Sequence, residues 1–225
     1  MQWDFVPMWI SLKTSLAATG ITFFLGLFSA WRMAYYNGPL KGLIDGILIL
    51  PMVLPPTVVG FLLLLVFGKH GPIGQLLLEL GVTIVFSWTA TVIAATVVAF
   101  PMMYKTARAT FEQIDPNVLD AARTLGASEW SIFWRVSVPL AWPGILAGTI
   151  LAFARALGEF GATLMLAGSI PGKTQTIPVA IFFAVESGEL HKALIWVMVI
   201  VAISLGVVLA LNHWSRADKK LEFMR

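Results

Sequence analysis

The segment DPNVLDAARTLGASEWSIFWRVSVP, residues 115–139, is a polar stretch between long apolar segments. Asp115 and Pro116 form a typical helix start, because Asp caps a helix well and Pro suits the first helical position. An apolar stripe follows, and Gly126 can adopt the left-handed conformation that ends a helix. Ser128 can then cap a second short helix. We therefore predict two short helices joined at a glycine, and we call residues 115–139 the elbow.

The composition of the chain is that of a polytopic membrane protein. Of its 225 residues, 58% are hydrophobic and only 12% are charged, and each spanning helix needs about 20 predominantly apolar residues. The chain has no cysteine, which excludes disulfides and thiolate metal sites. A net charge of +3 is explained by basic residues beside membrane spans, so no nucleic-acid partner is expected.

The apolar segments predict an all-α integral membrane protein with a single transmembrane domain at residues 10–214. Its five spans are placed at about residues 10–31, 43–67, 82–104, 140–166 and 193–214. A loop rich in Gly, Pro and Thr separates the last two spans, and residues 215–225 form a charged tail. No removable signal peptide is expected, because no basic region precedes the first span.

The basic residues predict an N-terminus outside and a cytoplasmic C-terminus. With that topology, ten Lys and Arg residues lie in cytoplasmic segments and four in outer ones, in agreement with the positive-inside rule. The cytoplasmic set is Arg32, Lys41, Lys105, Arg108, Arg123, Arg135, Arg216, Lys219, Lys220 and Arg225, and the outer set is Lys13, Lys69, Lys173 and Lys192. The elbow is therefore predicted to be cytoplasmic, with its second helix in the membrane interface.

The elbow resembles the EAA loop of ABC importer permeases. The resemblance lies in Asp120-Ala121-Ala122, in Gly126 four residues later, and in the closing run Val136-Ser137-Val138-Pro139. Asp120 replaces the usual Glu of that family, and Val136 and Val138 replace Ile and Leu. From composition alone, an interfacial loop without a partner is an equally good interpretation.

The resemblance implies that the elbow is the contact of this chain with a separate ATPase. The residues implied in ATPase coupling are Leu119, Asp120, Ala121, Ala122, Arg123, Leu125, Gly126 and Pro139. Small Ala121 and Ala122 would let another protein surface come close, while Leu119 and Leu125 would offer apolar anchors.

Two charges, Arg155 and Glu159, fall inside the predicted fourth span, four residues apart on one helical face. Single charges at that depth are costly, so the two are expected to pair. Two interpretations stay open: a structural ion pair that fixes helix register, or a pair that lines or braces a translocation path. Gly161 beside them permits close helix contact.

Three prolines interrupt the predicted second span. Pro55 and Pro56, after Pro51, break the backbone ladder and free carbonyl groups that must be satisfied by protein or water. Thr57 and Gly60 follow, offering a hydroxyl and a close backbone approach. The prolines either form the hinge of a gate or merely kink a packed helix.

Four further runs narrow the resemblance to the permease subunit of molybdate ABC importers. They are LPPTVVG at residues 54–60, LGEFGAT at residues 157–163, and the IPG and TIP triplets within residues 170–178. The residues assigned on this basis to the path or gate are Pro55, Pro56, Thr57, Gly60, Arg155, Glu159, Gly161 and Thr163. Sulfate and tungstate permeases share part of the pattern and are the alternatives.

The resemblance implies a type I importer in the inner membrane. Its expected partners are a second copy of the chain, a cytoplasmic ABC ATPase dimer that binds ATP and Mg²⁺, an extracytoplasmic oxyanion-binding protein and the lipid bilayer. A tetrahedral divalent oxyanion suits neutral N–H and O–H donors in a path that must release it.

No catalytic, metal or cofactor site is expected in this chain. Gly172-Lys173-Thr174 lacks the first glycine of a phosphate-binding loop, and the three histidines lack ligand spacing. A secondary transporter is a weaker alternative, because it would be expected to show inverted repeats and coupling-ion carboxylates. A non-transporting membrane scaffold is the other.

Overall fold

A computed structural model describes residues 5–222, with side chains as far as residue 209, and its regular structure there is entirely helical. This confirms the predicted all-α fold class. The helices are α1 Val6–Ala34, α2 Lys41–Val53, α3 Pro56–Phe67, α4 Pro72–Glu79, α5 Trp88–Glu112, α6 Pro116–Thr124, α7 Glu129–Ile132, a π-helical turn Phe133–Ser137, α8 Val138–Leu157, α9 Gly161–Ala167, α10 Ile177–Glu186 and α11 Leu190–Glu222.

Four helical segments in the described part of the chain are long and apolar enough to cross a bilayer. They are Val6–Ala34, Trp88–Glu112, Glu129–Leu157 and Leu190–Leu209. A fifth is possible if α2 and α3 count together, but these two helices bend by 113° at the break between them. The predicted second span is therefore not a straight helix. Leu54 is extended and the prolines at 55 and 56 donate no backbone hydrogen bond, so the helical ladder cannot continue.

Helix α5 is the centre of the fold, with α1 and α8 packed against it. Met103 of α5 is fully buried between two glycines: a Cβ atom at Gly26 of α1 would lie 2.7 Å from its Cγ, and one at Gly148 of α8 would lie 3.1 Å from its Sδ. Small residues at such interfaces allow the close approach on which helix association in membranes depends.

Hydroxyl groups join α1 to α5 across the same interface. The hydroxyls of Thr14 and Thr91 lie 3.0 Å apart, and the indole of Trp88 donates to Thr14 Oγ1 at 3.0 Å. Thr22 donates to the carbonyl of Thr96 at 3.5 Å. Interhelical hydrogen bonds of this kind contribute about 0.6 kcal/mol each on average. They fix the rotation of α1 against α5.

The segments that the positive-inside rule assigns to opposite sides of the membrane lie at opposite ends of the helix bundle. At one end, the Lys13 ammonium lies 4.1 Å from the ring centroid of Trp88, and Ser11 accepts the N–H of Ile177 at 2.7 Å. At the other end, the rings of Trp31 and Phe133 lie 4.7 Å apart, so the end of α1 meets the elbow.

Helix α5 differs from the predicted third span at both ends. It begins at Trp88 because Ser87 caps it, with the Ser87 hydroxyl accepting the N–H of Ala90 at 3.3 Å. Residues 82–86 before it are irregular and include Phe86 at a φ of 60°. The helix also continues to Glu112, so Lys105 and Arg108 belong to its C-terminal part.

The predicted fourth span is too long at its C-terminal end. Helix α8 ends at Leu157, and a second helix, α9, begins at Gly161. The predicted loop before the last span also contains a helix, α10, which starts after the extended residue Thr176 and has a proline in its first turn. Helix α11 runs from Leu190 through the predicted tail as far as Glu222.

Gly60→Ala is expected to destabilise the packing of α3 on α9. A Cβ atom at Gly60 would lie 2.7 Å from Met165 Cβ and 2.8 Å from Ala162 Cα, and a backbone atom cannot swing aside. Overpacking of this kind costs about 1–3 kcal/mol. The melting temperature of the purified protein in detergent should therefore fall.

Gly46→Ala is the matched control, because nothing lies within 4 Å of a Cβ at Gly46 in α2. It should leave the melting temperature unchanged or raise it. Equal loss of stability in both variants would contradict the close packing of α3 on α9.

Candidate functional site

The elbow begins and turns as its sequence predicts. Asp115 caps α6, its carboxylate accepting the N–H of Asn117 at 2.9 Å. Gly126 has a φ of +81°, a left-handed conformation that side chains disfavour. Ser128 then caps α7 by accepting the N–H of Ser131 at 3.3 Å. The chain therefore reverses over residues 125–128 between two capped helices.

The second helix of the elbow is not a separate short helix, contrary to the sequence prediction. Helix α7 passes through the π-helical turn Phe133–Ser137 directly into α8, so that Glu129–Leu157 is one continuous rod. Pro139 lies in the first turn of α8 and has no N–H to offer the carbonyl of Arg135. A widened turn is a common solution at such a point.

Arg123 ties the two arms of the elbow together. Its Nη1 donates to Asp120 at 2.7 Å, and its Nε donates to Glu129 at 2.7 Å across the glycine turn. The hydrogen bonds that Arg123 donates to Glu129 and Asp120 raise the pKa of Arg123 above its usual value. Because these groups are exposed, the pairs set geometry more than they add stability.

The exposed surface of the elbow is smaller than the sequence suggests. Leu125 is 87% exposed, and Asp120 and Ala121 are exposed beside it. Leu119, predicted to be an outward anchor, is only 3% exposed. That prediction is wrong, because Leu119 faces inward from α6 and attaches the helix to its own chain.

An aromatic cluster holds the second arm of the elbow to the bundle. The ring of Phe133 is buried and lies 4.7 Å from Trp31, 5.6 Å from Trp130 and 6.3 Å from Phe111. These rings join the elbow to the ends of α1 and α5. The i, i+3, i+4 spacing of Trp130, Phe133 and Trp134 is visible in the sequence, but their partners are not.

A cavity of about 390 Å³ opens beside this cluster. It lies between the end of α1, the start of α2 and the start of α7. Its lining residues are Trp31, Arg32, Met33, Tyr35, Tyr36, Ile44 and Glu129.

The residues predicted for the path are brought together at two helix breaks. A Cβ atom at Gly161, the first residue of α9, would lie 3.1 Å from both Pro56 Cβ and the backbone nitrogen of Thr57. The break between α2 and α3 therefore touches the break between α8 and α9. Gly60 and Gly161 are packing positions in this contact, while Pro55 and Thr57 are exposed.

Glu159 and Arg155 form the predicted pair, but not on one helical face. Glu159 lies beyond the end of α8, with a side chain 1% exposed, and its Oε2 is 2.8 Å from Arg155 Nη1. In the described part of the chain, no N–H is well aimed at Oε2, so this contact is an ion pair and not an aligned hydrogen bond. Glu159 Oε1 accepts the N–H of Ala162 at 2.8 Å. The carboxylate therefore joins the last turn of α8 to the first turn of α9.

Thr163, also predicted for the path, is buried at 1% exposure on α9. In this conformation its side chain contributes to the packing around α9 and lines no open surface.

The structure also contains a second charged cluster, which was not predicted from the sequence. Asp45 of α2 forms an ion pair with Arg108 of α5 and accepts the phenol O–H of Tyr104 at 2.7 Å. Arg108 also donates to Glu112 at 2.8 Å. Asp45 is separated from Arg108 by 63 residues, so no local spacing relates the two.

Residues 22–213 match the family described as "Binding-protein-dependent transport system inner membrane component". The chain belongs to this family. It is a component of a transport system. Its location in the membrane agrees with its long apolar helices.

Curated relatives cover most of the chain. It is 48% identical over 204 residues to the "Putative molybdenum transport system permease protein YvgM" of Bacillus subtilis (strain 168), covering 89% of this chain and 88% of that protein. It is 43% identical over 216 residues to the "Molybdenum transport system permease protein ModB" of Escherichia coli (strain K12), covering 92% and 93%. A "Probable sulfate transport system permease protein cysT" of Chlorokybus atmophyticus is 38% identical over 203 residues, covering 90% and 71%.

Solved structures with the same fold are membrane subunits of ABC importers. A chain of a bacterial transporter that imports the acidic polysaccharide alginate aligns with a TM-score of 0.70 at 18% identity, covering 96% of this chain and 80% of that one. A chain of the inward-facing MetNI methionine ABC transporter aligns with a TM-score of 0.70 at 16% identity, covering 94% of each. The fold is therefore that of a type I ABC importer transmembrane domain, which confirms the architecture predicted from the elbow.

Leu119→Ala and Leu125→Ala are expected to act on different properties. Removing the buried Leu119 side chain should lower the free energy of unfolding by about 2–5 kcal/mol, because it leaves a cavity. Removing Leu125, at 87% exposure, should leave stability unchanged. Thermal unfolding of the two purified variants measures the difference. Equal melting temperatures would show that Leu119 is not the internal anchor of α6.

Proposed function

We propose that this chain is the permease subunit of an ATP-driven importer and forms the transmembrane path for molybdate. The observation that carries the proposal is its 43–48% identity, over about nine-tenths of each chain, to two molybdenum transport permeases. The exposed elbow with its glycine turn supports the importer part independently, because it is a formed surface on which a motor subunit can act.

The proposed complex contains two copies of this chain, two ATPase subunits that bind ATP and Mg²⁺, and an extracytoplasmic binding protein. A related structure supports these kinds of partner, since it is that of a bacterial alginate ABC transporter in complex with an alginate pentasaccharide-bound periplasmic protein. ATP hydrolysis belongs to the ATPase subunits. The elbow would lie on the cytoplasmic side, as the ten basic residues of the inner segments indicate.

The elbow transmits movement through one rigid element. The second arm continues from α7 through the π-helical turn into α8 without a loop. The pair Arg155–Glu159 joins the far end of α8 to α9. A displacement of the elbow by the closing ATPase subunits would therefore reach α9 as a tilt of a single rod.

The path would open where the two helix breaks meet. Helix α9 packs on α3 through Gly60 and Gly161, so movement of α9 reaches the joint at Pro55 and Pro56. Thr57 lies at the exposed start of α3 and can offer a hydroxyl donor to an oxyanion. Alternating access follows if ATP binding favours one arrangement of these helices and hydrolysis favours the other.

Sulfate or tungstate is the competing cargo, because a probable sulfate permease is 38% identical. The two assignments are separated by ATP-dependent uptake into proteoliposomes that contain this chain, its ATPase and its binding protein. Molybdate uptake that excess sulfate leaves intact supports the proposal. Uptake of sulfate without molybdate would overturn the cargo, and ATP hydrolysis without any uptake would overturn the permease assignment.

Gly126→Asp is expected to abolish ATP-driven uptake while the protein stays folded in the membrane. Among the described residues nothing lies within 4 Å of a Cβ at Gly126, so within the chain a side chain there meets only the backbone strain of the left-handed φ, whereas a docked ATPase would meet a new charge and a new bulk. Gly81→Asp is the control, because Gly81 has a φ of +73° and open space but lies outside the elbow. Equal uptake by the Gly126→Asp and Gly81→Asp variants would contradict the coupling role of the elbow.

Glu159→Gln is expected to impair uptake more than assembly. The amide oxygen can still accept the N–H of Ala162, but the ion pair to Arg155 is lost. Uptake per assembled complex should fall, while copurification with the ATPase persists. Glu186→Gln, an exposed carboxylate at the end of α10, provides the control. Unchanged uptake would leave the ion pair with a structural role alone.

A further inference from the structure

Helix α2 is the least firmly embedded of the helices that lead to the proposed gate. None of its residues is buried, and Leu43, Ile47 and Val53 are at least 60% exposed. Only one edge, formed by Ile44, Leu48 and Ile49, packs against the central core. In a bilayer this apolar edge holds α2 weakly, because lipid chains would cover the same side chains equally well.

A polar contact supplies the attachment that the apolar edge lacks. Asp45 is the α2 residue that forms an ion pair with Arg108 and accepts the Tyr104 hydroxyl at 2.7 Å. Tyr104 is fully buried, and Arg108 and Asp45 have side chains 18% and 28% exposed. A partly buried carboxylate that loses its partners is costly, so Asp45 favours the arrangement in which α2 lies against α5.

The members of this cluster are divided unequally between the two helices. Tyr104, Arg108 and Glu112 all belong to α5, and Arg108 bonds to both neighbours on its own helix, with its Nη1 donating to the Tyr104 hydroxyl at 3.2 Å. Loss of Glu112 would therefore leave the link between the helices intact. Loss of the Asp45 charge would break it.

The position of α2 matters because the helix ends at the joint with α3. Leu54 and Pro55 form that joint, nine and ten residues beyond Asp45, and α3 leaves it at a bend of 113°. A bent pair can transmit movement only if one of its ends is held. The held end is the one at Asp45.

We propose that Asp45 is a positioning residue for transport, anchoring α2 to α5 through Arg108 and Tyr104 so that the α2–α3 joint bends about a fixed end. The consequence for transport rests on the proposed permease function. The anchoring itself does not, and the two can be measured separately.

The anchoring is tested by the distance between spin labels at Val53→Cys and Ala109→Cys. Both positions are exposed, and the chain has no cysteine of its own. The parent should give a narrow distance distribution. Asp45→Asn should broaden it or shift its mean, Asp45→Glu should restore it, and Glu112→Gln should leave it narrow. Tyr104→Phe removes one of the two contacts of Asp45 and should broaden the distance distribution partially. This variant tests the anchor if Asp45→Asn does not fold.

The consequence for function is tested by uptake per assembled complex in the same variants without labels. Asp45→Asn should reduce ATP-driven molybdate uptake by about 2- to 30-fold, the range expected for a change in coupling, with Asp45→Glu close to the parent. A distance distribution in Asp45→Asn with the same mean and the same width as that of the parent would overturn the anchor. The anchor would also be overturned if Glu112→Gln broadened the distance distribution as much as Asp45→Asn does.

The two proposals fail in distinguishable ways. If the permease assignment is wrong, the parent shows no uptake but the label distances still depend on Asp45. If the anchor is wrong, the parent transports and the distances ignore the substitution.

Discussion

A bilayer offers no partners to polar groups, so these groups must be satisfied within the protein. The Glu159 carboxylate is the group on which this fold depends most for that purpose. The chain breaks between α8 and α9, which exposes the N–H groups that begin α9. Glu159 satisfies one of them at Ala162 and pairs its other oxygen with Arg155 of α8. One buried side chain thus satisfies the break between α8 and α9 and also holds the two helices together.

Close contacts connect this break to the elbow on one side and to α3 on the other. Phe133 fixes the base of the α7–α8 rod among the aromatic rings of α1 and α5. At the other end of the rod, α9 packs on α3 so closely that Gly60 and Gly161 have no room for a Cβ atom at ordinary contact distance. Interfaces packed at this density have discrete arrangements, so displacement of the rod favours a switch of α3 over gradual deformation.

Local features of the elbow were predictable from sequence, because caps and a left-handed glycine depend on neighbouring residues: Asp115, Gly126 and Ser128 behave as their types suggest. Contacts between distant segments were not. The apolar pattern could not show that Leu119 faces inward, nor that Asp45 meets Arg108. Spacing alone put Glu159 on a helical face with Arg155, although its carboxylate caps the next helix. The family assignment survived these errors because it rests on motif spacing.

The proposed transport cycle requires the α7–α8 rod to move as one body against α3. Spin labels at Leu151 of α8 and Val58 of α3, with one labelled copy per complex, test it by the change in distance between nucleotide-free and ATP-trapped states. Both side chains are exposed, at 41% and 40%. A second pair within the rod, at Trp130 and Leu151, serves as reference. We expect the first distance to change between the two states while the second stays constant. A changing distance within the rod, or a constant distance to α3, would contradict it.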